Sequence, residues 1–258
     1  MRLQNKRILV TGASSGIGEA VAKACAHEGA EVILLSECRQ DLEKVAVAIG
    51  QSGGKALPMV VDLNHQEQVD GLIPRLEQEL GAIDILINNA GVGLGGLVSE
   101  ISMKGLRFVL EVNFLGLFNL CQQALIAMGS RQKGHIINVT SASGRFGLPG
   151  VSAYVASKGA CHIFTSALRS EAKLLGVAVS EVLPISTSTA FFDRLEGKQY
   201  KPKGVVQTPE KVAECIVRCA CSRRPQAEVL PYPLIRLAFV IDAMLPGWLD
   251  RFLGKDHE

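Results

Sequence analysis

Within the stretch SAYVASKGA, residues 152–160, Tyr154 and Lys158 stand four positions apart among small side chains. On a helix that spacing stacks the two on one face and brings an ammonium within reach of a phenol. A phenol ordinarily titrates near ~10, and a neighbouring cation favours the phenolate, drawing that value toward the range where protons move at neutral pH. The expectation is a tyrosine acid–base made more acidic by its lysine. The same pair also occurs on ordinary surface helices, so its meaning rests on what else the chain brings to it.

A second group of residues has the pattern of a phosphate cradle. The segment ILVTGASSGIGEAVAKACA passes from an apolar strand through Thr11, Gly12, Ala13, Ser14, Ser15, Gly16, Ile17 and Gly18 into a helical pattern. Glycines there permit a tight turn and close backbone approach, and a helix start presents N–H groups and a partial positive charge to a pyrophosphate. The spacing is G-x-x-x-G-x-G rather than G-x-G-x-x-G, and any tight strand-to-helix turn would also use glycine. Asp62, after a later apolar run, could accept from an adenine amino group or cap the segment that follows. Asn88 and Asn89 in INNAG could contact a ligand at a strand end or form an ordinary turn.

These candidates need a scaffold, and the hydrophobic pattern supplies one. Apolar runs rich in Val, Ile and Leu fall at 7–10, 32–35, 57–61, 83–87, 136–139, 177–183 and 227–230. Between most of them lie stretches of helical period, 18–27, 40–49, 66–80, 106–128 and 154–175. Strands alternating with helices imply right-handed crossovers and a parallel sheet covered on both faces, an α/β doubly wound domain. No repeat or linker marks a second domain, so residues 1–230 are expected to form the catalytic unit and 231–258 an apolar extension of it.

The 258 residues, 48% hydrophobic and 20% charged with a formal net charge of +2, suffice for a sizeable core and give no reason to expect a nucleic-acid partner. No signal-peptide pattern opens the chain, and the seven cysteines, an odd number, read as reduced thiols of a cytoplasmic protein. Cys215, Cys219 and Cys221 lack a nearby histidine and zinc spacing; they read as small buried hydrophobes on a helix, and no metal site is expected.

Taken together, TGASSGIG, Asp62, NNAG, Asn113 in EVNFLG, Ser141 in INVTSASG, and Tyr154 with Lys158 resemble the short-chain dehydrogenase/reductase family over residues 7–189. The resemblance implies a Rossmann-like fold and a nicotinamide dinucleotide, NAD or NADP, at the glycine turn. It implies a catalytic tetrad of Asn113, Ser141, Tyr154 and Lys158, in which Asn113 holds a water linking Lys158 to solvent and Lys158 bonds the nicotinamide ribose. It places Gly12, Ser14, Ser15, Gly16, Ile17, Gly18 and Asn89 around the dinucleotide, with Thr187 and Thr189 near the nicotinamide and its phosphates. Tyr154 would then exchange a proton with an alcohol or carbonyl oxygen while hydride moves to or from the substrate carbon, and Ser141 would stabilise the developing alkoxide. Ser141 capping a loop and Asn113 satisfying backbone in an interrupted helix are the plainer roles for those two side chains. A dinucleotide sensor or a structural protein on the same fold has no need of the tetrad.

The chain departs from the family pattern in three places. At ILLSECRQDL, Glu37 would repel a ribose 2′-phosphate while Arg39 lies close enough to oppose that effect, and the balance favours NAD. Ile185 follows Pro184 where the family usually has glycine, and Phe191, Phe192 and Tyr200 fall in the variable segment expected to cover an apolar substrate, or simply to pack that segment onto the domain. The tail, VLPYPLIRLAFVIDAMLPGWLDRFL, lacks the glycine-rich ending of many tetrameric relatives. Residues 234–245 are too short and too charged to span a bilayer; rimming the cleft, packing on the domain or a second copy, and touching a membrane surface are its possible roles. Packing, in a homodimer, is the expected one and membrane contact the least.

Overall fold

The computed structural model describes residues 1–191, 196–197 and 204–245. Its apolar runs become the strands β1 (Arg7–Thr11), β2 (Glu31–Ser36), β3 (Lys55–Val60), β4 (Ile85–Asn88), β5 (Leu94–Gly95), β6 (Gly134–Val139), β7 (Val177–Val182), β8 (Glu196–Gly197) and β9 (Glu228–Val229). The helices are α1 (Gly16–His27), α2 (Arg39–Gln51), α3 (Gln66–Val69), α4 (Leu72–Leu80), α5 (Met103–Leu110), α6 (Gly116–Ser130), α7 (Ser152–Leu174), α8 (Pro209–Ala220) and α9 (Ile235–Met244). Seven strands form one parallel sheet in the order β3-β2-β1-β4-β6-β7-β9, and β5 pairs with β8 apart from it.

Successive strand residues feed opposite faces, as a doubly covered sheet requires. Ile8, Val10, Val32 and Leu34 pack with Val21 of α1, Val45 of α2 and Val212 of α8. Leu9, Ile33, Leu35 and Leu86 pack with Leu72 of α4, Leu120 of α6 and Leu168 of α7. Sequence order reverses direction across the sheet between β1 and β4, and the carboxyl ends of these strands open the crevice where ligands bind in such sheets.

Buried polar groups tie this scaffold together beneath the crevice. Asn88 Nδ2 of β4 donates to Asn138 Oδ1 of β6 (2.9 Å), Asn138 Nδ2 donates to Thr165 Oγ1 of α7 (3.0 Å), and Thr165 Oγ1 donates to the Cys161 carbonyl (2.7 Å).

The structure corrects several boundaries. The helix expected over 66–80 breaks into α3 and α4 because Gly71, at φ +66°, takes a left-handed conformation between them. The helix expected from residue 106 starts at Met103, where Ser102 Oγ caps by accepting from Gly105 N, and a π-helical turn at Glu111–Leu115 joins α5 to α6. That continuous run, Met103–Ser130, is long and apolar enough to cross a membrane, but it packs against α4 and α7 as a core helix does. Of the three late cysteines only Cys219 is buried; Cys215 is half-buried on α8 and Cys221 lies just past its end. All seven thiols are free. Phe192, Tyr200 and residues 246–258 lie outside the described residues.

Candidate active site

The turn from β1 to α1 is built by excluding side chains. Gly12 and Gly16 have φ values of +63° and +57°, and a Cβ on Gly18 would lie 2.0 Å from the Gly12 carbonyl oxygen. A Cβ on Gly12 would meet the Ala90 backbone at 2.8 Å, and one on Gly16 would meet the Thr189 methyl at 3.0 Å. Asn89 holds this turn from below, its Nδ2 donating to the carbonyls of Thr11 (3.0 Å) and Gly12 (3.3 Å). Thr11 Oγ1 accepts from the backbone N–H of Asn89 and Ala90 in return (3.0 Å each). The Asn89 amide donors are thus engaged by the scaffold, and the residue acts by shaping the turn. Ser15 is the N-cap of α1 and makes no capping hydrogen bond with its side chain.

At the end of β2, Ser36 Oγ lies 2.9 Å from Ser14 Oγ and donates to Glu37 Oε2 (3.0 Å). Arg39 points along α2 to Glu43, 3.7 Å away. Asp62 lines the crevice, and its Oδ1 accepts from Asn64 N (2.9 Å) in the turn ahead of α3, whose N-cap is His65.

Across the crevice, a short 3-10 turn, Ala142–Arg145, is capped by Ser141, whose Oγ accepts from Ser143 N (3.2 Å) and sits 2.8 Å from Ser143 Oγ. Gly144 presses this turn onto α7, where a Cβ would come within 2.8 Å of the Lys158 carbonyl oxygen. Ser141 is thereby set beside Tyr154 and Lys158, near enough for its hydroxyl to favour the phenolate. Asn113, in the π-helical turn, is fully buried; its Oδ1 accepts from Val92 N (2.7 Å), and its Nδ2 donates to Val92 O and Ser157 Oγ (2.9 Å each). Its carboxamide satisfies backbone, the plainer of its two expected roles. Gly91 closes the group, since a Cβ there would be 3.3 Å from both Asn113 Oδ1 and Lys158 Nζ.

The electrostatics correct the sequence reading of the tyrosine. Lys158 is 4% exposed, donates to the Val139 carbonyl (3.3 Å), and lies 5.9 Å from the Tyr154 ring centroid. Burial, partly opposed by the Ser141 hydrogen bond, pushes the phenol up to about 12, and burial also lowers the Lys158 ammonium. Desolvation dominates in both because the charged form of each group has lost water. Among the described residues no carboxylate pairs with Lys158, so its remaining donors suit neutral hydroxyl acceptors.

One cavity of about 1010 Å³ joins these parts. Gly12, Ser14, Ser15, Gly16, Ile17, Glu37, Asp62 and Asn89 line one half; Ser141, Tyr154, Lys158, Thr187 and Thr189 line its middle. Gly18 and Asn113 support the wall from behind. The far half is apolar, with Phe108, Phe146, Leu148, Phe191, Tyr232 and Ile235. The Phe191 ring packs on Tyr154, centroids 5.3 Å apart. Sequence reasoning missed Phe108, Phe146 and Leu148, which carry no motif. It preferred packing over rimming the cleft for the tail, yet Tyr232 and Ile235 line the cavity.

The chain matches the family described as short chain dehydrogenase over residues 6–199. It belongs to that family. It is 30% identical over 254 residues to ketoacyl reductase HetN of a Nostoc species, covering 96% of this chain and 88% of that one. Three longer curated relatives, each a probable oxidoreductase EphD from a Mycobacterium strain, are matched over 43% of their length at 32% identity. A short-chain dehydrogenase/reductase from Burkholderia phymatum, solved in complex with NAD, superposes with a TM-score of 0.84 at 24% identity over 95% of this chain and 96% of that one. A metagenomic short-chain oxidoreductase in complex with NADP gives 0.77 at 28% identity over 89% and 98%.

Proposed function

We propose that this short-chain dehydrogenase binds a nicotinamide dinucleotide along the polar half of the cavity and acts on an apolar ketone or secondary alcohol in the other half. The glycine cradle supports this reading, because side chains are absent where a pyrophosphate needs backbone N–H groups at a helix start. Lys158, a buried ammonium without an anion among the described residues, suits ribose hydroxyls. When bound, the dinucleotide supplies or accepts the hydride.

The chain's own residues handle the proton. Tyr154 holds its phenolic proton firmly, the state needed to deliver it to a carbonyl oxygen as a ketone is reduced. Ser141 donates a hydrogen bond to the same oxygen as negative charge develops there. In the reverse direction Tyr154 takes the proton from the alcohol. Phe191 packs on the phenol and keeps water from it. The far half carries no charged side chain among its lining residues, which favours a neutral substrate. Glu37 lines the cavity at the end of β2, and repulsion between its carboxylate and a ribose 2′-phosphate supports a preference for NAD. Exposed Phe118 and Ile126 on α6 and Ile163 on α7 offer an apolar face to a second copy, for which light scattering should give twice the chain mass. Seven free thiols suit a reducing, cytoplasmic setting.

The observation that carries the reading is the meeting of Tyr154, Ser141 and Lys158 at the middle of a cavity whose other end is the glycine cradle. Its test is Tyr154→Phe, assayed by oxidation of NADH and of NADPH against a ketone panel. Turnover should fall about 10²–10⁴-fold while dinucleotide affinity stays within a few fold; undiminished turnover would overturn the assignment.

A further inference from the structure

Two contacts join α9 to the turn that Ser141 caps, and an ion pair to β9 braces them. Arg145, the last residue of that turn, forms an ion pair with Glu228 of β9, and its guanidinium carbon lies 4.6 Å from the centre of the Phe239 ring. Phe239 also packs on Phe146, with ring centroids 6.1 Å apart, and Phe146 is part of the cavity wall. One turn before Phe239, Ile235 lines the cavity together with Tyr232.

Among the described residues little else holds this helix. None of its residues is fully buried, and Leu237 and Met244 on its outer side are 65% and 75% exposed. A helix of ten residues is not stable by itself in water, so its place depends on the side chains that seat it. Stacking of a planar guanidinium on an aromatic ring is directional, and Glu228 anchors that guanidinium through one nitrogen. Phe239 is therefore held at one position and angle, and through it so are the inward-facing residues at the start of α9.

We propose that Arg145 and Phe239 form a latch that seats α9 over the apolar half of the cavity, and that this latch sets specificity for neutral ketones and alcohols with long apolar chains. The proposal rests on the hydride-transfer reading for its substrate class, but not for the seating of α9. Arg145 and Phe239 do not line the cavity and are positioning residues. A substrate small enough to occupy only the space beside Tyr154 and Ser141 never reaches Tyr232 or Ile235. A long one lies against them and loses that contact when α9 swings away.

The test compares the full-length protein with Phe239→Ala, Phe239→Tyr and Arg145→Lys. Steady-state constants are measured for 2-butanone and 2-undecanone at saturating dinucleotide, with hydrogen exchange followed across residues 235–244. Phe239→Ala should raise KM for 2-undecanone at least tenfold, leave kcat and KM for 2-butanone within twofold, and speed exchange in α9 at least tenfold. Arg145→Lys keeps the ion pair but not the planar stack and should give the same changes in smaller measure, whereas Phe239→Tyr should restore both the ketone ratio and the slow exchange. Equal effects on the two ketones, or unchanged exchange in Phe239→Ala, would overturn the latch. If the parent protein turns over neither ketone, the hydride-transfer reading fails while the exchange data still decide whether Phe239 seats α9.

Discussion

The two ends of the cavity are made by opposite means. Around the glycine turn, main chain meets main chain: Gly12 against Ala90, Gly18 against the Gly12 carbonyl, with Asn89 and Thr11 bonding the two loops together. At the other end the walls are large side chains delivered by separate segments, Phe108 from α5, Phe146 from the loop after β6, Phe191 from the loop after β7, and Ile235 from α9. A surface made of backbone has few ways to change without breaking, because an added Cβ has nowhere to go. A surface made of side chains can be exchanged residue by residue while the sheet beneath stays as it is. The contrast is between an end that resists substitution and one that accepts it.

Gly18→Ala tests the rigid end most severely. The added methyl falls on the Gly12 carbonyl, so the turn must open; dinucleotide affinity should drop at least 100-fold, and thermal unfolding should show a loss of about 1–3 kcal/mol or more. Retained affinity would show the turn to be pliant and erase the contrast.

The sheet floor shared by both ends should reveal itself through pH. His135 on β6 is 6% exposed, bonds Ser180 Oγ at 2.9 Å, and burial lowers its pKa to about 4. A histidine depressed in the folded state contributes stability above its unfolded value of ~6.5 that is lost as pH falls through about 4, roughly 3 kcal/mol across that window. Denaturant melts of the parent and His135→Phe between pH 7 and 4 should show that slope in the first and a flatter one in the second. Equal slopes would assign the acid loss to other groups.

The smallest effect is expected at the adaptable end. Phe191→Ala should raise KM for a long-chain ketone about tenfold with stability changed by less than ~1 kcal/mol, because Phe191 is only half-buried on a loop. A large fall in stability would mean that this wall is as structural as the glycine turn.

The same contrast governs what could be read from the residues alone. The backbone-built end has a signature in Gly12, Gly16 and Gly18, since only glycine satisfies it, and Tyr154 and Lys158 are fixed in spacing by the helix they share. The order of strands and helices was equally legible in the alternating apolar runs. The break at Gly71 was not, because a lone glycine is also tolerated within a helical period, and of the π-helical turn only an interruption at Asn113 could be foreseen. The side-chain-built end leaves little signature beyond Phe191: Phe108, Phe146 and Ile235 become a wall only when distant segments converge. The rise of the Tyr154 pKa was invisible for a related reason, since spacing reports the nearby cation but not the water that burial removes.

The line of buried amides and hydroxyls from Asn88 through Asn138 to Thr165 has a mechanical meaning. Grease alone would let α7 slide or roll over β4 and β6 at little cost, since one aliphatic contact is much like the next. Threaded by groups that tolerate no other partner, the helix has a single seat, and any slip would strand each of them in a dry interior. The aim of the phenol and ammonium near its amino end is thus fixed two to three turns away, by residues that never meet a ligand.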